Sequence, residues 1–430
     1  MNEIRSYIIR FLLGDGVSEE IQKNIGYTST ESDYSQYKLV IYPSVFFDAD
    51  IYGTEKSLPR LPLNDFDGVP VLFGESKIEK KGDIIILYAD IVASTYFLIS
   101  RYEEIVCRDV RDGHGRFFGK ESLPFKAGFI HRPVVEEYGK LLRKLLREQG
   151  MDIPEPESKF GKIYLTHDVD IIAHYRRLRS VIGALLKNRS QLKTALKSYC
   201  KGIQYDPWFT FDWLLQMNNS LNKSSTESVF FIKPAGGKQK EDQPRGIIQS
   251  KDYRFLYRVL KRNRAVVGLH ASYEAGIHPE LILSEKEKLE KAAQVKIAYN
   301  RHHFLDTREP EDMESLINAG ITDDFTLGYA DVAGFRLGTC RAVRWINPAT
   351  KQLTPLLLHP LTMMDGSLSE KKYMNLSETD AYDYAVKLID ETKKHGGDLC
   401  LLWHNTTVEK NGNFYHRSLY VKLIVYLKKK

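Results

Sequence analysis

The side chains of this sequence that could do chemistry sit just past short apolar runs. Ile163-Tyr164-Leu165-Thr166 leads into His167-Asp168-Val169-Asp170. Two carboxylates spaced i, i+2 after a buried run are costly if they merely face a core. At a strand end they can share a cation, or one can hold a metal while the other takes a proton from the water it activates. Ala265-Val266-Val267-Gly268-Leu269 leads into His270, with Glu274 four residues on. The run 298–304 carries Arg301-His302-His303, and strand alternation sends the two histidines to opposite sides. Leu399-Cys400-Leu401-Leu402-Trp403 leads into His404. Between these lie Gly334-Phe335-Arg336 and His359-Pro360-Leu361-Thr362-Met363-Met364-Asp365. A lone histidine here reads as a core residue, and a lone aspartate as a helix cap. Several together fit a metal site that activates water.

Such groups need a frame that gathers strand ends, and the sequence implies one. From residue 163 onward, strand-like runs at 163–166, 228–232, 265–269, 298–304, 356–359 and 399–403 alternate with helix-like runs at 251–262, 284–293, 310–319 and 377–395. That alternation predicts a parallel α/β sheet, open or closed into a barrel, with active groups at the carboxyl ends of its strands. Residues 171–226 read as a mostly helical insertion over the mouth of that sheet. A polar stretch with Pro154 and Pro156 follows a helix-like run at 134–146 and marks a boundary. It separates a mixed α/β domain, 1–150, from a second domain, 158–430. In the first domain, 38–42, 69–73 and 83–87 read as strands and 91–107 as a helix, and the glycine-rich stretch 112–117 reads as an ordinary turn.

Composition bounds the remaining possibilities. The chain has 430 residues, 43% of them apolar, enough for a sizeable core and against disorder. Its net charge is +6, but 62 basic residues are scattered among 56 acidic ones, which argues against a nucleic-acid footprint. The basic tract Tyr175-Arg176-Arg177-Leu178-Arg179 reads as a solvated helix face and Lys428-Lys429-Lys430 as a charged tail. Cys107, Cys200, Cys340 and Cys400 form no CxxC pair, so a disulfide framework is not expected. No apolar run is long enough for a membrane span and no signal peptide is recognised, which makes a cytoplasmic location the expectation.

Thr166-His167-Asp168-Val169-Asp170 resembles the first motif of the polysaccharide deacetylases of carbohydrate esterase family four, the NodB-homology enzymes, whose usual form is Thr-Phe-Asp-Asp. Gly268-Leu269-His270 through Glu274 resembles their His-(Ser/Thr)-x-x-His motif, Phe335-Arg336 their arginine-bearing motif and Leu402-Trp403-His404 their final Leu-x-His. The order matches, over about 160–405. The first domain resembles one found ahead of a divergent bacterial branch of these enzymes. The resemblance implies a distorted (β/α)7 barrel, a divalent metal held by Asp-His-His, a catalytic aspartate base and histidine acid, and an N- or O-acetylated sugar as substrate. Two departures stand out. Asp168 aligns with the usual base, while Val169 occupies the metal aspartate position, so Asp170 is expected to supply that carboxylate. Glu274 stands where the second histidine belongs; it could bind through oxygen, but His303 from the next strand is the favoured replacement.

These expectations assemble into a mechanism. Asp170, His270 and His303 hold the metal, with zinc the first choice. Asp168 is the base, His404 protonates the leaving group, Asp365 or Asp324 orients His404, and Arg336 pairs with Asp168. Trp403, beside His404, and Trp208 in the insertion are expected to wall the substrate pocket. Two other functions compete: a metal-free carbohydrate-binding or scaffold protein on a degenerate barrel, and a metal enzyme acting on a non-sugar amide. Metal analysis and a substrate screen separate the three.

Overall fold

The computed structural model describes residues 1–187, 189–234, 238–410, 412 and 414–430. The first part of the chain contains β1 (Ile25–Tyr27), β2 (Leu39–Ile41), β3 (Asn64–Phe66), β4 (Val69–Val71), β5 (Gly74–Lys81) and β6 (Ile84–Ala89). β1, β2 and β6 run parallel, β5 lies antiparallel along β6, and β3 and β4 form a separate ribbon. Helix Ile91–Ile99 follows, apolar all round and buried throughout, as a core helix must be. Its N-terminus is capped by Asp90, whose carboxylate accepts from the Ala93 amide at 2.9 Å. The single helix expected over 91–107 is in fact two, because Arg101 enters the left-handed region at φ 61° and the chain restarts as Tyr102–Val106.

The second part is built on a nine-stranded sheet. Its strands are β7 (Ile163–Val169), β8 (Thr226–Ile232), β9 (Val266–Ala271), β10 (Tyr299–His302), β11 (Asp323–Asp324), β12 (Val343–Asn347), β13 (Gln352–Leu358), β14 (Met363–Met364) and β15 (Leu399–Leu402). The order is β12-β13-β11-β10-β9-β8-β7-β15-β14, and every pairing is parallel except β12 with β13. No strand of the first part joins it.

This sheet is strongly curled. Strands β7 and β11 lie four positions apart, roughly 19 Å on a flat sheet. Yet Tyr164 of β7 and Phe325, next to β11, hold their ring centroids 5.1 Å apart. Arg301 of β10 likewise reaches Cys400 of β15, Nη2 to Sγ 3.6 Å. Of the expected distorted (β/α)7 barrel the structure has the large, mostly parallel sheet; among the described residues no ladder joins β14 to the β12–β13 edge. The segment leading from β13 into β14 bonds instead to the stretch that follows β11, Leu361 N–H to the Leu327 carbonyl and Gly334 N–H to the Thr362 carbonyl, both 3.0 Å. Met363–Met364 is too short to build more, and β12 turns antiparallel.

Helices Leu178–Lys187, Leu192–Lys201 and Phe211–Asn218 make up half of the connection from β7 to β8. Among the described residues no helix is long and apolar enough to cross a membrane.

The two parts meet through buried charge. Glu104 lies between Arg101 and Arg336, accepting from Arg101 Nε at 2.9 Å and Arg336 Nη2 at 2.8 Å, with all three side chains almost wholly buried. Burial disfavours a charged Glu104, but the two guanidiniums outweigh it and its pKa falls below the usual carboxylate value. Removing one member of such a group leaves charge buried without a partner, so Glu104→Ala is expected to cost about 3–5 kcal/mol of stability, read from urea unfolding. A loss below about 1 kcal/mol, the scale of an exposed pair, would show that water replaces the carboxylate.

Candidate metal centre

Alternation along β7 puts Thr166, Asp168 and, one step past the strand, Asp170 on the concave face. His167 faces the other way, its Nδ1 2.9 Å from the Trp403 carbonyl and its Nε2 3.1 Å from the Asn218 amide. Along β10 the inward residue is Arg301, whose Nη1 donates to Thr166 Oγ1 at 2.6 Å and to Asp168 Oδ1 at 3.1 Å. His302 points outward toward Asn300 and is buried, with its pKa pulled down to about 4 by desolvation. His303, two residues beyond Arg301, returns to the inner side just past the strand. The chain turns there through Phe304 (φ 61°) and Leu305 (φ 55°), two left-handed non-glycine residues in succession, a strained conformation that the surroundings must hold. Arg116, from the glycine-rich loop of the first part, donates to the Phe304 carbonyl at 2.6 Å and is itself gripped by Asp112.

Asp170, His270 and His303 are thereby brought together. Nε2 of His270 lies 3.1 Å from Asp170 Oδ1, and Nε2 of His303 lies 3.3 Å from the same oxygen. One ligand atom from each residue falls within 4.8 Å of the others. The opposite ring nitrogens are anchored. Nδ1 of His270 is 2.9 Å from the Arg301 carbonyl, which can only accept. Nδ1 of His303 is 3.2 Å from the Asp242 carboxylate. Both rings therefore keep Nδ1 on an outer acceptor and present Nε2 toward Asp170, the arrangement of metal-binding imidazoles with an outer hydrogen-bond partner. Burial works against ionisation of Asp242, but His303 and the Tyr273 and Glu274 amides outweigh it and bring its pKa to about 2. Two imidazole nitrogens and a carboxylate oxygen fit a divalent cation such as zinc and leave a coordination position for a small ligand.

On the other side of the rim stands His404. Its Nδ1 is 2.8 Å from Asp365 Oδ1, and its backbone amide donates to Oδ2 at 3.0 Å. Asp365 is fully buried and also accepts from Thr407 Oγ1 at 2.6 Å. Desolvation alone would lower the His404 pKa, but Asp365, then Asp170 and Asp168, outweigh it and carry it up to about 10. His404 is thus an imidazolium at neutral pH. Asp168, Asp170, His303, His404, Arg116 and Tyr373 share a cleft of about 330 Å³.

Several expected partners lie elsewhere. Arg336 does not reach Asp168; its guanidinium is committed to Glu104 and to the Gly328 carbonyl, 2.9 Å, and the arginine on Asp168 is Arg301. Trp403 does not wall the cleft. It is fully buried against Tyr420, with Nε1 donating to the His416 carbonyl, because alternation between Leu402 and His404 turns it outward. Trp208 packs on the His174 ring, centroids 4.4 Å apart, outside the cleft lining. Asp324 bonds Asn300 and Thr326, leaving Asp365 alone on His404. Glu274 accepts from the Lys238 amide, away from the ligand cluster.

Arg301, Asp242, Arg116 and Lys233 were not anticipated. Arg301 had a signal, since it shares strand parity with His303. Lys233 had a weaker one, a lysine straight after the buried run of β8; burial lowers its pKa against the pull of Asp170 and Asp242. Asp242 sits in a polar stretch, Lys238-Gln239-Lys240-Glu241-Asp242, without any periodic mark.

Residues 5–151 match the model of a family of unknown function, DUF7033. No curated protein matches the chain. Among solved structures it is similar to a candidate polysaccharide deacetylase from Mycobacterium smegmatis, at 13% identity and a TM-score of 0.40, over 64% of this chain and 85% of that one. It is also similar to a mutant CE4-family pseudoenzyme with restored enzymatic activity, at 10% identity and a TM-score of 0.32, over 64% of this chain and 66% of that one.

Proposed function

We propose that this chain is a metal-dependent deacetylase acting on an N- or O-acetylated carbohydrate. The observation that carries the reading is the anchoring of His270 and His303 through Nδ1, with both Nε2 atoms aimed at Asp170, between a carboxylate and an imidazolium. Asp170, His270 and His303 would hold the cation, which when bound supplies Lewis acidity for the acetyl carbonyl and makes water more acidic. Asp168, oriented by Arg301, accepts a proton from the attacking water. His404, already protonated and fixed by Asp365, gives its proton to the departing sugar nitrogen or oxygen as the bond to the acetyl carbon breaks. Phe304 and Tyr373, which line the cleft, would contact the sugar in place of Trp403 and Trp208.

Purified protein is expected to contain close to one divalent metal per chain and to release acetate from acetylated oligosaccharides. Metal without acetate release from sugars, but with turnover of simple acetamides, would change the substrate class. Absence of both metal and turnover after zinc reconstitution would leave a binding protein.

A further inference from the structure

Directly after Asp170, residues 171–205 contain eight Lys and Arg residues and no Asp or Glu, a charge larger than the +6 of the entire chain. Within this segment, helices Leu178–Lys187 and Leu192–Lys201 form a hairpin. Its inner face is small: Val181, Ala184 and Ala195 cluster around Tyr175, apart from the main core. Its outer face is the unusual one. Leu178, Ile182, Leu185 and Leu186 are exposed by 59, 46, 46 and 75%. Their i, i+4, i+7, i+8 spacing lays them along one stripe that points away from the protein. On the second helix Leu196 and Tyr199 are exposed as well. The base of the hairpin is fixed. Asp206 accepts from the His174 and Tyr175 amides at 2.8 Å and from Ser198 Oγ at 2.7 Å, and Arg176 pairs with Asp252 at 2.8 Å.

A stripe of large apolar side chains set among cations, with no acid within 171–205, is complementary to an anionic lipid surface: the apolar residues enter the headgroup layer and the cations meet phosphates. A second copy of this chain would bring the same eight cations against these. A nucleic acid would engage the cations but leave the leucines wet. We propose that the hairpin docks this protein on the surface of an anionic bilayer through Leu178, Ile182, Leu185 and Leu186. The basic tract at 175–179 is then the near edge of that surface rather than a solvated helix face. The inference stands on the hairpin alone and is independent of the metal chemistry.

Flotation of the full chain with vesicles tests it. Phosphatidylcholine vesicles containing about a third phosphatidylglycerol are expected to bind it at least about tenfold more tightly than pure phosphatidylcholine, and binding should weaken as salt rises. The paired changes Ile182→Glu with Leu186→Glu, and Lys193→Glu with Lys197→Glu, should each lower binding by about tenfold or more without shifting the melting temperature, since these side chains are exposed. No flotation with the anionic vesicles, equal flotation with both compositions, or full binding by both variants would each overturn the proposal. So would a concentration-dependent dimer that Ile182→Glu with Leu186→Glu abolishes while vesicles fail to bind, because it would give the stripe to a second copy.

Discussion

His303→Ala is expected to lower affinity for zinc by more than about a hundredfold, beyond the 10–100-fold range typical of losing an outer hydrogen-bond partner. Glu274→Ala should leave affinity unchanged. The difference follows from placement. Nε2 of His303 lies 3.3 Å from Asp170 Oδ1 and converges with His270, whereas Glu274 caps the Lys238 amide. Asp242→Asn should fall between the two, because an amide no longer fixes the imidazole tautomer electrostatically although it can still accept from Nδ1. Titration calorimetry on metal-stripped protein reads all three. Loss of binding in the Glu274 variant with retention in the His303 variant would return the third ligand to the loop and end this assignment.

His404→Ala is expected to keep its metal and lose about 10²–10⁴ of turnover, the range for a general acid. Its pH dependence is more informative. A group that must be protonated supports turnover below its pKa, and that support is lost as pH rises through it. With His404 near 10, the basic limb of the rate profile belongs well above the ordinary histidine value. A bound cation would offset part of the negative charge from Asp170 and Asp168 and move the limb down, but the contribution from Asp365 persists. Asp365→Asn removes that largest upward influence while burial continues to press the pKa down, so its basic limb should shift toward lower pH. An unmoved limb in Asp365→Asn would assign the titration to another group. Metal loss in His404→Ala would make His404 a ligand.

The parts of this structure that follow from periodicity were legible. β7, β8, β9 and β15 are built on apolar runs, and their carboxyl ends carry Asp170, His270 and His404: His270 near the end of β9, the other two just past β7 and β15. Strand parity also anticipated that His302 and His303 would separate. What escaped depended on contacts between segments distant in the chain. Arg336 and Arg301 are both buried arginines, and the choice of which meets Asp168 is made by the Arg301 side chain lying on the inner face of β10 while Arg336 is drawn to Glu104, more than two hundred residues away. Trp403 adjoins His404, and adjacency was read as shared function although neighbours near a strand end face opposite ways. Seam closure was illegible for another reason: β11 and β14 are two residues each, too short for any pattern to announce. The loop at 112–117 looked like a turn, and it is one, but its arginine works at the far side of the molecule's internal boundary.

That loop and the buried Glu104 cluster together change what kind of object the molecule is. The first part supplies a carboxylate without which Arg101 and Arg336 would lie buried and uncompensated, and it supplies the guanidinium that holds the strained turn after His303. Apolar residues of both parts also belong to one continuous core. Neither part can then open without exposing the other's charges and hydrophobic surface, so the two are expected to unfold in one transition, with probes in each part reporting the same midpoint, although their sheets are separate. A ligand bound between Asp170, His270 and His303 would, by mass action, stabilise helix Asn2–Leu13 as surely as the strands that hold it.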